Sequence, residues 1–453
     1  MERSRNFTEG RIFLPLISFA LPVLLALFLQ TMYGAVDVLI VGKFGGESAK
    51  VYVSAVSTGS QVMHTVTVVI TGLAMGLTVF VGRKIGEGAK QEAGQIIGSG
   101  IGLFGAVAAV LTAALIASAP LLARVMHAPE AAFNDTVSYI IICSAGTVFI
   151  TAYNLVGSVF RGIGDSKMPL ITVAIACVLN IGGDLLFVAV LHMGASGAAF
   201  ATVTAQAVSV LLSLFIIKKR KLPFSFSVKY IRPNGNYIKK ILQLGTPIAL
   251  QDLLVSISFL AIMAIVNELG LTESSGVGVA EKLCGFLMLV ASSYMQSMSA
   301  FVAQNIGAGK PDRARRALWC GIASSLAVGV VMGAFTFFRG DLLAGIFADD
   351  REIILAAADY LRAYAVDCVF TSFLFCFIGY FNGCGSTTFV MLQGIIGAFG
   401  VRLPVSYIMS RQADVTLFKI GLATPASTVV QIILCGFYFV ILRRKQKQML
   451  ENT

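Results

Sequence analysis

Val178-Leu179-Asn180-Ile181-Gly182-Gly183-Asp184-Leu185-Leu186-Phe187 lies inside an apolar segment, 169–190, that is long enough to span a bilayer. On a helix Asn180 and Asp184 fall four residues apart, so an amide and a carboxylate share one face. A carboxylate at membrane depth costs roughly 2.5–3.5 kcal/mol on insertion scales, and such groups mostly line cavities or ion paths. The stretch therefore decides two things together: the chain spans a membrane as helices, and it carries a polar site inside.

Composition agrees. Apolar residues make up 57% of the chain and charged residues 13%, against about a half and a quarter in soluble domains. Repeated apolar runs of about 20 residues suit helices rather than barrel strands. Twelve spans are predicted, at 12–42, 51–82, 96–118, 136–160, 169–190, 195–217, 241–268, 276–303, 317–338, 353–380, 389–409 and 420–442. The first is too long for a signal peptide and is expected to stay.

An even number of spans puts both termini on one side. That side carries 24 Lys and Arg in its loops and tails, and the opposite side carries seven. The positive-inside rule makes it cytoplasmic, which predicts a multi-pass plasma-membrane protein with both termini inside. The net charge of +11 thus reports topology, and no nucleic-acid partner is expected. The eight cysteines form no CxxC pair and no metal-ligand spacing, so neither a metal nor a disulfide framework is expected.

The chain repeats itself. At an offset of 221, Phe80-Val81 meets Phe301-Val302, Ile85-Gly86-x-Gly88 meets Ile306-Gly307-x-Gly309, and Tyr139 meets Tyr360. Phe160-x-Gly162-x-Gly164 meets Phe381-x-Gly383-x-Gly385 in the same register, and an offset of 225 aligns Pro22 with Pro247. Six spans per half means parallel repeats, related by an axis along the membrane normal. The expected organisation is a six-helix lobe at 1–217, a basic cytoplasmic linker at 218–240 and a second six-helix lobe at 241–453, all α-helical and related by a pseudo-two-fold.

Asp37 on span 1, Asp184 on span 5 and Thr202 on span 6 lie roughly 8–11 Å in from the outer ends of their spans, with Asn180 roughly 15 Å in. Two carboxylates, an amide and a hydroxyl in one layer suit a hard cation such as Na⁺. Neighbouring carboxylates can equally share a proton, since two like charges crowd poorly. The N-terminal spans offer no Lys or Arg to pair with them. Pro22, fifteen residues before Asp37 on the same helix, is a candidate hinge. In the second half Asp252, Asp367 and Arg402 are candidate cavity charges, with Asp367 the expected partner of Arg402 and Asp252 or Glu281 the alternatives, and Asp359 is expected to neutralise Arg362. No phosphate-cradling loop, catalytic triad or metal cluster is present, which argues against an ATP-driven pump and against an enzyme.

Pro22 with Asp37, Gly72-Leu73-Ala74-Met75-Gly76 running to Val81-Gly82-Arg83, Arg161-Gly162-x-Gly164-Asp165, Leu179-Asn180-Ile181 with Asp184, and Gly197-Ala198-Ala199 with Ala201-Thr202 together resemble the multidrug and toxic compound extrusion (MATE) family. The resemblance covers essentially the whole chain. It implies a monomeric, cofactor-free antiporter that takes in H⁺ or Na⁺ and exports amphipathic, often cationic, small organic molecules from a cavity between lobes. It further implies that Asp37, Asn180, Asp184 and Thr202 hold the coupling cation, as in the branch whose cation site lies in the N-terminal lobe. A flippase for lipid-linked saccharide precursors is the alternative on such a fold; it would call for Arg and Lys facing a pyrophosphate.

Overall fold

The structure, a computed structural model, describes residues 7–219, 222, 224 and 226–451. Its helices are α1 (Phe13–Phe44), α2 (Ala49–Gly86), α3 (Lys90–Val125), α4 (Phe133–Ala145), α5 (Thr147–Gly162), α6 (Lys167–Asp184), α7 (Gly194–Lys219), α8 (Gly235–Asn267), α9 (Leu271–Gly307), α10 (Pro311–Ala344), α11 (Arg351–Gly383), α12 (Thr387–Ile395), α13 (Leu403–Ser410), α14 (Leu417–Gly421) and α15 (Ala423–Glu451). No strand occurs among the described residues. Helices suit the sequence because, in lipid, every backbone N–H and C=O must find a partner within its own segment.

Among the described residues eleven helical stretches are long and apolar enough to cross a membrane, and α4 with α5 makes a twelfth when the pair is taken as one span bent by 49°. The bend falls at Gly146, where a Cβ would come within 2.5 Å of Val203 on α7. Two spans change winding partway. Directly after Asp184 the chain forms a π-helix, Leu185–Val190, and directly after α12 another, Ile396–Arg402. Such wide turns are uncommon and gather at functional sites.

The repeat is visible in the backbone. Gly88 and Gly309, 221 residues apart, close α2 and α9 at φ of +76° and +67°. Gly164 and Gly385, at the same offset, take +86° and +75° after α5 and α11. All four lie in the left-handed region that glycine enters without steric cost.

The chain divides into two compact units, but not at the basic linker. Among the described residues the first holds Leu21–Ala249, and the second Phe7–Ala20 and the residues from Leu250 onward. Each change of unit follows a helix through a proline: α1 crosses at Leu21 beside Pro22, and α8 at Leu250 just after Pro247. The first turns of α8 join the first unit through glycine contacts. A Cβ on Gly76 would meet Gly245 N at 2.5 Å, and one on Gly72 would meet the Ala249 Cα at 2.5 Å. Gly72 and Gly76 on α2 thus face Gly245 and Ala249 on α8, a small-residue pairing in which backbones touch. Within the expected linker, the Arg232 carbonyl accepts from Ser99 and the Tyr230 backbone packs on Gly98, both on α3. Arg220, Lys221, Pro223 and Ser225 lie outside the described residues.

Candidate cation-coupling site

Within the first unit, α6 and α7 approach closely because their contacts are small. A Cβ on Gly183 would touch that of Ala201 at 3.0 Å, and one on Gly197 would press on the Phe187 backbone at 3.1 Å. This approach brings Thr202 beside Asn180, whose Nδ2 donates to the Thr202 Oγ1 at 3.3 Å. The Thr202 hydroxyl donates in turn to Asp37 Oδ2 on α1 at 3.2 Å. Asp184 lies close enough to Asp37 for each carboxyl to act on the other. The structure thus brings together all four residues that the sequence singles out.

The group is dry. Asp37 is 4% exposed, Asn180 1% and Asp184 0%. Among the described residues, Asp37 Oδ1, Asn180 Oδ1 and both Asp184 oxygens have no hydrogen-bond partner. Neither acid has a Lys or Arg at ion-pair distance among the described residues. Buried polar oxygens are nearly always paired, and charges buried without a partner are costlier still. Orphaned oxygens converging from α1 and α6, with a hydroxyl from α7, fit a proton or a small hard cation.

Three neighbours escaped the sequence reading. Tyr139 on α4 is 2% exposed and within electrostatic reach of both acids. Its ring fills the space beside Gly59, where a Cβ would come within 2.3 Å. Tyr33 lies one turn before Asp37, next to Gln206, which lies one turn after Thr202. The spacing of four residues from Asp37 and from Thr202 was the available signal for these two. For Tyr139 it was only the match with Tyr360.

The second unit differs. Asp367 is 2% exposed, with Oδ1 unpartnered, and sits beside Thr428. Arg402, 6% exposed, does not form the expected ion pair with it. Its Nη1 donates to Ser258 Oγ at 3.0 Å and its guanidinium lies over the Phe259 ring at 4.4 Å. Asp367 feels this charge from beyond ion-pair distance. The π-helix that ends at Arg402 turns its side chain toward α8. Asp252, on α8, is only half-buried. Asp359 does not pair with Arg362 either, because its Oδ2 accepts from Phe418 N at 2.9 Å and caps α14.

The MatE family profile matches residues 22–186 and again 247–408, together well over half of the chain. The chain belongs to the MatE family. The two matches begin at Pro22 and Pro247, the register of the internal repeat. MatE proteins are transporters, not enzymes. This MatE chain is 27% identical to the probable multidrug resistance protein YpnP of Bacillus subtilis, over 90% of its own length and 91% of the relative's. It is 25% identical to YoeA, a second probable multidrug resistance protein of that organism, over 94% of each chain. Its fold matches that of a MATE crystal structure in complex with MaL6, with a TM-score of 0.91 over 98% of each chain at 19% identity.

Proposed function

We propose that this MatE protein is a secondary active exporter of amphipathic, often cationic, organic compounds, driven by H⁺ or Na⁺ moving the other way. The names of YpnP and YoeA support the multidrug part of this reading. One observation carries the coupling part: the buried, unpaired oxygens of Asp37, Asn180 and Asp184, joined through Thr202, with no base at hand. Asp37 and Asp184 hold the coupling cation, which supplies the positive charge that their surroundings lack. Thr202 links α1 to α6, so neutralising the acids alters how α1 is held. Pro22, on the same helix, lets that change become a bend. A gradient drives export only where the two conformations bind the cation unequally, which a site spread over α1, α6 and α7 allows. The surplus of Lys and Arg in one set of loops supports a plasma-membrane location with both termini cytoplasmic, and the protein is taken to act as a monomer.

The test is efflux from proteoliposomes with a pH gradient and a Na⁺ gradient imposed separately. One of the two should drive wild-type export, and Asp37→Asn should abolish that drive at equal protein. Export by Asp37→Asn at the wild-type rate would remove the coupling assignment.

A further inference from the structure

Five consecutive backbone carbonyls ahead of α1 are held by side chains at the start of α10 and the turn before it, all within the second unit. Arg313 Nε donates to the Phe7 carbonyl at 2.9 Å, and Nη1 to that of Gly10 at 2.7 Å. Nη2 donates to Glu9 at 2.8 Å and to Arg11 at 3.2 Å. Lys310 Nζ takes the remaining carbonyl, that of Thr8, at 3.0 Å, and Asn305 Nδ2 adds a second bond to Phe7 at 3.2 Å. Gly10, at φ of +70°, turns the chain so that its carbonyls converge. The planar fork of a guanidinium suits such a set, whereas an ammonium acts as a point donor.

Beneath this clip the Phe7 side chain is fully buried. Its ring meets Phe19 of α1 edge-on at 5.1 Å and Phe301 of α9 at 4.9 Å, and Arg313 lies over Phe301 at 5.8 Å. The first unit holds the start of α8 in a similar manner. Phe80, the repeat equivalent of Phe301, packs on Tyr237 at 6.2 Å, and the Tyr237 hydroxyl donates to Gln95 Oε1 at 3.1 Å. The start of α1 is therefore held within the second unit and the start of α8 within the first, and each helix changes unit next to a proline.

The geometry points to Arg313 as a positioning residue for transport. Its clip keeps the first turns of α1 on the second unit throughout the cycle, so that movement of the Asp37-bearing part of α1 is taken up at Pro22 rather than by sliding of the whole helix. The inference rests on the transporter reading but not on which cation drives it, so the assay is downhill substrate counterflow with no cation gradient. A failure of the coupling assignment leaves that assay intact.

Trypsin cleavage after Arg11 reads the clip, because the Arg11 carbonyl is bound by Arg313 and the Ile12 carbonyl by Leu16 N. Right-side-out and inside-out vesicles are treated in parallel, and the N-terminal fragment is measured by mass. Wild type should resist cleavage equally at rest and during counterflow. Arg313→Gln should be cleaved, and its maximal counterflow rate should fall about tenfold with the half-saturating substrate concentration unchanged. Arg313→Lys should recover part of the rate. Should Arg313→Gln fail to fold, Gly10→Ala serves instead: nothing lies within 4 Å of the added Cβ, and the left-handed backbone alone should make opening about tenfold more frequent. Cleavage of wild type that accelerates during counterflow would overturn the inference, since the segment would then leave its seat in each cycle. So would an opened clip that transports at the wild-type rate.

Discussion

Asp184→Asn should make the protein more stable while it loses its response to the driving cation. Asp184 is fully buried and neither of its oxygens accepts a hydrogen bond. Asparagine keeps the volume and places an amide donor beside Asp37, whose Oδ1 is likewise unpaired. A hydrogen bond to a charged acceptor contributes about 1.5–3 kcal/mol. Unfolding entropy grows with chain length, so each kcal/mol moves the midpoint of so long a chain by about 1–2 °C, and the expected gain is about 2–5 °C. The assay is thermal unfolding in detergent at low Na⁺ and fixed scan rate, followed by a thiol-reactive dye, since all eight cysteines are free and most are buried. Adding the driving cation at a hundred times its Kd should stabilise wild type by about 2.7 kcal/mol and the variant not at all. If Asp184→Asn melts at or below wild type, or keeps the wild-type response to the cation, the carboxylates are not the site.

Thr202→Val removes a donor to Asp37 and an acceptor for Asn180 at nearly constant shape. The cation concentration giving half-maximal efflux should rise about tenfold, with Thr202→Ser close to wild type. Gly76→Ala forces a methyl against the Gly245 backbone and should cost about 1–3 kcal/mol in detergent melts, whereas Gly102→Ala, which meets nothing within 4 Å, should be near neutral. Arg402→Met should destabilise by about 3–5 kcal/mol if its charge balances Asp367, and Asp367→Asn in the same chain should restore most of the loss. Additive losses in that double variant would show that the two charges act independently.

The helical fold and the clustering of Asp37, Asn180, Asp184 and Thr202 were legible because membrane burial leaves a strong local trace: apolar runs of fixed length, and acids that are rare inside them. The repeat was legible because Gly88 and Gly309, like Gly164 and Gly385, need left-handed backbone at matching places. Contacts between distant residues were not. The unit boundaries depend on Gly72 and Gly76 meeting Gly245 and Ala249, and glycine alone does not say what it faces. Arg402 was assigned to Asp367 because charge suggests charge, yet it meets a hydroxyl and an aromatic face instead. Asp359 was given to the nearest base on its own helix, while the unpaired N–H groups opening α14 made the stronger claim. The clip at Arg313 uses backbone carbonyls, which every residue carries and no motif marks.

The wide winding that begins at Leu185 carries a consequence for how this helix tolerates length changes. Each residue of a regular helix advances the side chains by about 100°. A π segment absorbs a surplus residue without changing where the flanking turns point. Removing one residue from Leu185–Val190 would let the segment tighten to ordinary pitch, and Asn180, Asp184 and the outer end of the span would all keep their outlook. An equal deletion two turns earlier would swing the acid itself away from Asp37. The same single-codon loss would thus spare the Asp37–Asp184 cluster on one side of Asp184 and dismantle it on the other.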